Sequence, residues 1–344
     1  MNKHRYRVIF SKTLQRFIVT SELAKTTTAG NTERDDLKCG QSSACFSFYP
    51  SLQSLTFAVF CALGFISLIS PSAYAETLMI QADSTAVANQ RPVVLQTANG
   101  LPQVNIQTPN EQGLSHNRYS HFDVDTQGAI LNNSRKNTQT QQGGWIQGNP
   151  YLAGGEAKVI LNEVNSNHPS QLKGYVEVAG RKADVIIANP NGIHCQGCGI
   201  MNAERATFTT GKPEIHHGSL DSFKVEKGKV TVEGKGLDNS QTDYTDIISR
   251  SAEINAGVWS KREVNVTTGK NRVTKNNDSV QIIHTTEKEK QSENPPHFAL
   301  DVTHLGGMYA EKIHLIGTEQ GLGVNHAGHI GASAGEVVID AKGH

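Results

Sequence analysis

The sequence predicts an all-β protein and, within that class, a parallel β-helix: a solenoid of stacked coils. Three observations lead there. Short β-branched segments recur from Glu76 onward with Asn, Gly, Asp and Pro between them, a pattern that admits a sandwich, a barrel or a β-helix. No amphipathic helix of useful length interrupts them. Near the C-terminus, Lys312–Gly317 and Glu336–Ala341 repeat one apolar pattern at an offset of 24 residues, with Gly-rich links between. A short constant offset with glycine corners favours stacked coils, because each coil must return to the same edge one strand spacing further along.

The chain opens on an export signal of unusual length. Lys3, Arg5, Arg7, Lys12 and Arg16 are interspersed with Tyr6, Val8, Ile9, Phe10, Leu14, Phe17, Ile18 and Val19, and the plain reading of this segment is a basic amphipathic helix. From Thr56 to Ile69 the chain is uncharged and apolar, about 14 residues, which is short for a membrane span and right for the apolar core of a signal peptide. Ala73-Tyr74-Ala75 has the A-x-A form of a cleavage site, so a mature start at Glu76 is expected. Residues 1–75 carry 8 Lys/Arg against 4 Asp/Glu, which leaves 24 against 28 in the remainder. A mildly acidic mature chain argues against nucleic acid as a partner.

Beyond Glu76 the expected strands follow one another: Val93–Leu95, Val104–Ile106, Lys158–Leu161, Tyr175–Val178, Val185–Ile187, Ala206–Thr210, Lys229–Val232, Val264–Val266, Val280–Ile283 and Ala299–Val302. The sharpest corner is Asn189-Pro190-Asn191-Gly192, between a β-branched strand and Ile193. Pro190 fixes its own φ and pushes Asn189 toward extended geometry, while Asn191 and Gly192 can take left-handed conformations. Two polar segments, Asn132–Gly144 and Glu287–Pro296, are expected as surface loops rather than core strands. The chain stops at Lys342-Gly343-His344 without a closing element. The expectation is therefore the N-terminal piece of something longer, with residues 85–130 capping the first coil.

Cleavage would remove Cys39, Cys45 and Cys61 and leave Cys195 and Cys198 in an exported chain, so a disulfide is the first reading of that pair. Zinc remains open, because His194, His216 and His217 are near in sequence, but one C-x-x-C supplies only two of four ligands. A redox pair is a third option, against which stands the lack of a helix start after the motif. Glu156, Glu163, Asp184, His194, His216 and His217 form no nucleophile motif, carboxylate pair or metal cluster. No catalytic residue, metal or cofactor is expected.

Several ordered blocks resemble a known family. They are Val104–Asn110 with Gly113–Tyr119, Gly148–Leu152, Gly155–Ala157 with Ile160–Val164, Ala188–Ile193, and Leu305–Ala310. They are similar to the secretion (TPS) domain of two-partner-secretion exoproteins, which include filamentous haemagglutinin-like adhesins and contact-dependent growth-inhibition toxins. Met1–Lys12 resembles the extended signal peptide region of such proteins. The resemblance implies a right-handed parallel β-helix with an N-terminal cap and extra-helical hairpins. It divides the chain into a signal at 1–75, with 1–25 the extended region and 56–75 the apolar core and cleavage site. A secretion domain at 76–310 and the first haemagglutinin-type repeats at 311–344 follow.

The same resemblance implies export through the Sec translocon, removal of the signal by signal peptidase, and passage through the periplasm to the surface of a Gram-negative cell. It implies recognition by the periplasmic POTRA domains of a dedicated outer-membrane β-barrel transporter of the TpsB type. Asn149-Pro150 and Asn189-Pro190-Asn191-Gly192-Ile193 correspond to the family's secretion motifs, although the first continues Tyr151-Leu152 where Asn-Leu is commoner. The Cys195–Cys198 loop resembles the subset with growth-inhibition toxins and some haemolysins. The expected function is thus an export address that seeds β-helix folding at the cell surface. The complete protein would be an adhesin or a growth-inhibition toxin acting on host or neighbouring bacterial cells. A directly adhesive module and a haemolysin-type exoprotein are the alternatives.

Overall fold

The computed structural model describes residues 79–283, 296–319 and 322–341 in full, and residues 6–11 and 16–21 as backbone. The apolar run of the signal, the cleavage residues Ala73, Ala75 and Glu76, and the charged loop from Glu287 to Pro295 lie outside the described residues.

In the N-terminal unit, Tyr6–Ser11 and Arg16–Ser21 are strands paired antiparallel, with Val8 opposite Val19 and Phe10 opposite Phe17. This corrects the amphipathic helix read from the basic residues. Val8, Ile9, Ile18 and Val19 are β-branched, and Phe10 and Phe17 are aromatic, and these side chains favour extended backbone over helix.

The second unit is a parallel β-helix with three faces. On the first face Leu114–Phe122, Val159–Val164, Asp184–Ala188, Arg205–Thr209, Tyr244–Ser249, Glu263–Thr268, Gly307–Gly317 and His329–Ala341 lie side by side, each parallel to the next. The second face runs Ser170–Leu172, Ile193–Cys195, Lys229–Val232, Ser251–Ile254, Phe298–Val302, Gly323–His326. The third carries Pro102–Asn105, Ala129–Asn133, Tyr175–Gly180 and Gly199–Met201, and a Cys198–Leu237 bridge joins it to Leu237–Asn239, Gly257–Ser260 and the first half of Gly307–Gly317. Lys312 pairs with Glu336 and Gly317 with Ala341, so the 24-residue offset seen in the sequence is the true coil register.

Alternate side chains point inward and stack in files along the axis. One file reads Ile187, Phe208, Ile247, Val266, Leu315; a parallel one reads Ile160, Val185, Ala206, Thr245, Val264, Ile313. All are buried, and the apolar members belong to one continuous core. At the N-terminal end the files change character, the first continuing to Asn162 and Asn117 and the second to Ser115, and the buried asparagines are hydrogen-bonded. Asn162 donates to the Ile186 carbonyl at 3.1 Å and accepts from the Tyr119 hydroxyl at 3.0 Å, while Asn117 accepts from the Gln107 N–H at 2.8 Å. Two antiparallel additions also stand at this end: Ile80–Ala82 on Leu114–Phe122, and Val93–Gln96 on Pro102–Asn105. The opposite end differs, since Val337 and Ile339 of the last rung are 44% and 54% exposed.

A second sheet stands outside the coils. Lys212–His216, Ser219–Val225, Asn271–Thr274 and Val280–Ile282 pair antiparallel, so the last of these strands lies off the coil stack rather than in it. This side sheet lies over the outer surface of the first face. Leu220, Phe223, Val225 and Val273 pack there against Leu114, Val159, Leu161, Ile186, Ala188 and Ile248, an apolar cluster separate from the axial one.

One sequence expectation fails in this region. Asn132 and Asn133, read as the start of a surface loop, are fully buried at the end of the strand Ala129–Asn133. Asn132 donates to Asn105 Oδ1 and to the Gln147 carbonyl, both at 2.9 Å, and Asn133 to the carbonyls of Ala157 and Arg181 at 3.0 and 2.9 Å. Burial is tolerated because each amide has partners. The rest of that segment forms a small hairpin, Thr138–Thr140 with Gly144–Ile146.

Candidate functional site: two asparagine corners and a cysteine loop

Asn149 and Asn189 stand 40 residues apart, and the fold uses them in the same way. Asn149 is 3% exposed. Its Oδ1 accepts the N–H of Tyr151 at 3.0 Å, capping the 3-10 turn Pro150–Leu152. Its Nδ2 donates to the carbonyls of Ile106 and Asn132, both at 2.9 Å, and its own N–H reaches the Ser134 carbonyl at 2.7 Å. Asn189 is 1% exposed. Its Oδ1 accepts the N–H of Asn191 at 3.0 Å, its Nδ2 donates to the His168 carbonyl at 3.0 Å and Ser170 Oγ at 3.1 Å, and its N–H reaches the Thr209 carbonyl at 2.9 Å. Each asparagine therefore shapes its own turn with the amide oxygen and ties remote backbone to that turn with the amide nitrogen. Aspartate has no such N–H to give, and glutamine would set its amide one methylene further out.

The prolines complete both corners. Pro150 fills the first position of its 3-10 turn, where the missing N–H costs nothing. Pro190 occupies the second position of a turn closed by the Gly192 N–H on the Asn189 carbonyl at 3.0 Å. Gly192 has φ +119°, and a Cβ there would stand 2.9 Å from the Lys229 carbonyl oxygen, so both conformation and space require glycine. Asn191, by contrast, does not take the left-handed conformation read for it. A type I turn with proline second needs none at its third position, and the positive φ falls on the glycine that follows. Asn191 instead donates to the Ser166 carbonyl and accepts from Lys227 Nζ at 2.9 Å. Ile193 then turns inward, buried, between Ser170 and Val230 on the neighbouring coils.

Cys195 and Cys198 are bonded to each other, with their Cα atoms 5.3 Å apart, and both are buried in the axial core. The loop between them crosses from the second face to the third, with Gly197 at φ +99°. Among the described residues no group of three or more His, Cys, Asp or Glu is placed to hold a metal. The acidic and histidine candidates do not converge. Parallel pairing sets Asp184 beside Val159 and Glu163 beside Ala188, at opposite ends of adjacent strands. Asp184 faces Lys275 at 3.2 Å, His194 Nε2 lies 2.9 Å from Glu233, and His116 Nε2 lies 2.7 Å from Glu163. Burial pushes the Glu163 carboxyl up, but the hydrogen bond and charge of His116, together with the charge of Arg118, outweigh it and hold the group below its ordinary value. These are structural pairs along coil edges.

Sequence reasoning found both corners but missed what they grip. Asn105 and Asn132 are buried on the outer side of the third face, the side of Ile130 and Ala179 that the Thr138–Ile146 hairpin covers; they hydrogen-bond to each other, and Asn149 is tied to this pair through the Asn132 carbonyl. The available signal was position: Asn132 and Asn133 directly follow Ala129-Ile130-Leu131, at the end of a strand where the chain must turn.

A parallel β-helix sealed by polar side chains at its N-terminal end, clasped by two Asn-Pro corners and preceded by an export signal, defines an export-directing domain of a large secreted protein. Comparison with known proteins supports this class. Residues 78–344 match the model of the TPS secretion domain, and residues 1–49 match that of the extended signal peptide of type V secretion systems. The chain is 48% identical over 343 residues to a toxin CdiA of Yersinia pestis, and 39% identical over 346 residues to a tRNA nuclease CdiA-2 of Burkholderia pseudomallei. Each match covers 100% of this chain but 10% of the relative, so the chain spans about a tenth of their length. The crystal structure of a filamentous hemagglutinin secretion domain superposes with a TM-score of 0.63 at 29% identity, covering 76% of this chain and 99% of that one.

The chain belongs to the TPS secretion-domain family. It is a secretion-targeting module of a CdiA- and filamentous-haemagglutinin-like exoprotein, bound for the cell surface of a Gram-negative bacterium. Membership brings a two-partner outer-membrane transporter as its partner and Sec export by the extended signal. The module itself is not catalytic.

Proposed function

We propose that the Asn149 and Asn189 corners serve export by setting the first coils, so that folding outside the cell starts from the N-terminal end and proceeds coil by coil. The observation that carries this is the burial of both side chains with every amide group engaged. In the folded domain a partner cannot reach them, which favours a role in building the nucleus over a role as a docking surface. No nucleotide is available in the periplasm, and strand pairing gained by each new coil opposes backsliding through the transporter. Non-local β structure nucleates slowly, so a preset corner shortens the search. Recognition of the unfolded chain by periplasmic POTRA domains precedes this step. Signal peptidase cleaves before Glu76, and N-terminal sequencing of secreted protein tests that boundary.

Replacing Asn189 by Ala leaves the Asn191 N–H without its acceptor and takes one of two donors from the His168 carbonyl, which keeps Ser166 Oγ, a cost of about 2 kcal/mol, since an unsatisfied buried polar group costs ~1–3 kcal/mol. Secretion and refolding in vitro are measured together for Asn149→Ala and Asn189→Ala. Both should fall in step; secretion lost while refolding is intact would assign the asparagines to the transporter contact instead.

The relatives named as toxin and tRNA nuclease support a whole-protein role in contact-dependent growth inhibition, with the toxic activity outside this region and neighbouring bacteria as targets. The Cys195–Cys198 loop favours that reading over an adhesin. A small immunity gene beside the full reading frame is its test.

A further inference from the structure

The outer surface of the third face carries a file that neither folding nor export explains. Successive rungs place Tyr175 beside Gly199, Asp238 beside Trp259, Trp259 beside Tyr309, and Tyr309 beside Gly331. Rungs of a sheet repeat at about 4.8 Å, so these side chains run along the helix axis in one line. The Trp259 and Tyr309 rings stack at 5.9 Å with 15° between their planes.

Each ring lies over glycine. A Cβ on Gly199 would meet the Tyr175 ring at 2.5 Å, one on Gly257 would meet Trp259 at 2.3 Å, and one on Gly331 would meet Tyr309 at 2.9 Å. The glycines let the aromatic side chains lie down on the sheet surface. Tyr175 donates its hydroxyl to Asp238 Oδ2 at 2.8 Å. Burial and this bond push the phenol up to about 12, so it stays protonated and keeps donating.

Tyr175, Asp238 and Trp259 line a groove of about 800 Å³ together with Gln196 of the disulfide loop, Lys173 and Lys235. No carboxylate pairs with either lysine among the described residues. The groove thus offers aromatic surface, a fixed carboxylate, an amide and two unneutralised ammonium groups. A pyranose ring has one C–H-rich face suited to stacking on an aromatic ring and a rim of hydroxyls that need both donors and acceptors. The free lysines add a demand for negative charge on the ligand.

The geometry points to this groove as a binding site for an acidic oligosaccharide, a chain of pyranose rings bearing carboxylates, laid along the axis across Tyr175 and Trp259 and on to Tyr309, which stacks on Trp259 just beyond the groove. The disulfide holds the Gln196-Gly197 wall of the site in place.

Trp145, on the small hairpin, and Trp259 are the two tryptophans of the chain. Trp145→Phe therefore leaves Trp259 as the sole tryptophan, and excitation at the red edge of the indole band reads it apart from the tyrosines. Titration with tetramers of galacturonate and of alginate should give a saturable change in its emission. A neutral glucose tetramer should bind about tenfold more weakly, and Tyr309→Ala or Lys235→Gln should weaken the acidic tetramers about tenfold with the melting temperature unchanged. The proposal is overturned if both acidic tetramers leave the emission unchanged, if the neutral tetramer binds equally well, or if a proline-rich peptide saturates the groove more tightly than either sugar. Should Tyr309→Ala lower the melting temperature while binding through Lys235 is also unaffected, the rings merely cover glycine and the site does not exist.

Discussion

The axial core and the core beneath the side sheet are both built from Val, Ile, Leu and Phe, yet they hold the molecule in different ways. In the axial core each residue stacks on its counterpart one coil away, so contacts are made between nearest rungs and accumulate with coil number. In the side core Phe223, Val225 and Val273 arrive from antiparallel strands and lie across Leu161, Ile186, Ala188 and Ile248, which belong to several coils at once. The first core extends; the second clamps. A solenoid made only of the first could open anywhere along its length, and the side sheet confines that freedom to the ends.

The comparison is tested most strongly in the axial file. Phe208→Ala removes a ring buried between Ile187 and Ile247 and should cost about 4 kcal/mol, at the scale of other Phe→Ala core truncations. Urea unfolding should shift as a single transition in which amide protection of all coil strands falls together. Protection lost only from Arg205–Thr209 would show that the coils are less coupled than the clamp requires.

Phe223→Ala probes the second core at about 3 kcal/mol. Hydrogen exchange should accelerate in Lys212–His216, Ser219–Val225 and Asn271–Thr274 while Val159–Val164 and Asp184–Ala188 stay protected. Equal acceleration in both sets would mean that the two cores form one cooperative unit.

Acid gives the smallest effect. The Glu214 carboxyl accepts two bonds from Arg272, at 2.6 and 2.9 Å, across the side sheet, and also one from Ser222 at 2.6 Å. Arg272 chiefly, against the cost of burial, holds this carboxyl below its ordinary value of 4.5. Its contribution is therefore complete above that value and fades as pH falls through the depressed one. Because Arg272 is half in solvent, water screens the pair and the effect is small. Glu214→Gln should lower stability at pH 7 and flatten its acid dependence below about pH 4.5, as read by thermal melts. An unchanged acid profile would place the pH sensitivity elsewhere.

Much of this architecture was legible in the chain. The strand-corner-strand around Asn189-Pro190 was readable because proline and glycine act locally, through φ alone. The 24-residue offset was readable between Lys312 and Glu336 because nothing is inserted there. Elsewhere insertions hide the register: Glu263 pairs with Lys312, 49 residues on, because Asn271–Thr274, Val280–Ile282 and the residues up to Phe298 intervene. Val280–Ile282 has the composition of a coil strand, and its place in the side sheet follows from pairing with Asn271–Thr274 rather than from its own residues. Asn132 and Asn133 misled for a related reason. An asparagine looks like a loop residue until its partners are known, and Asn105, Gln147, Ala157 and Arg181 are brought to it by other coils.

By itself the sequence determined the export signal, the class of fold, the positions of most strands and the two Asn-Pro corners, and it put a disulfide first among the readings of Cys195 and Cys198. These rest on composition, on the two-residue period of a strand and on the stiffness of proline, all properties of short stretches. Tertiary structure alone decided which outer face the side sheet covers, which carbonyls Asn149 and Asn189 hold, and that Tyr175, Asp238, Trp259 and Tyr309 fall in one line. Residues 63 and 50 apart in the chain become neighbours there because coils of unequal length are brought into register by the hydrogen bonds between them.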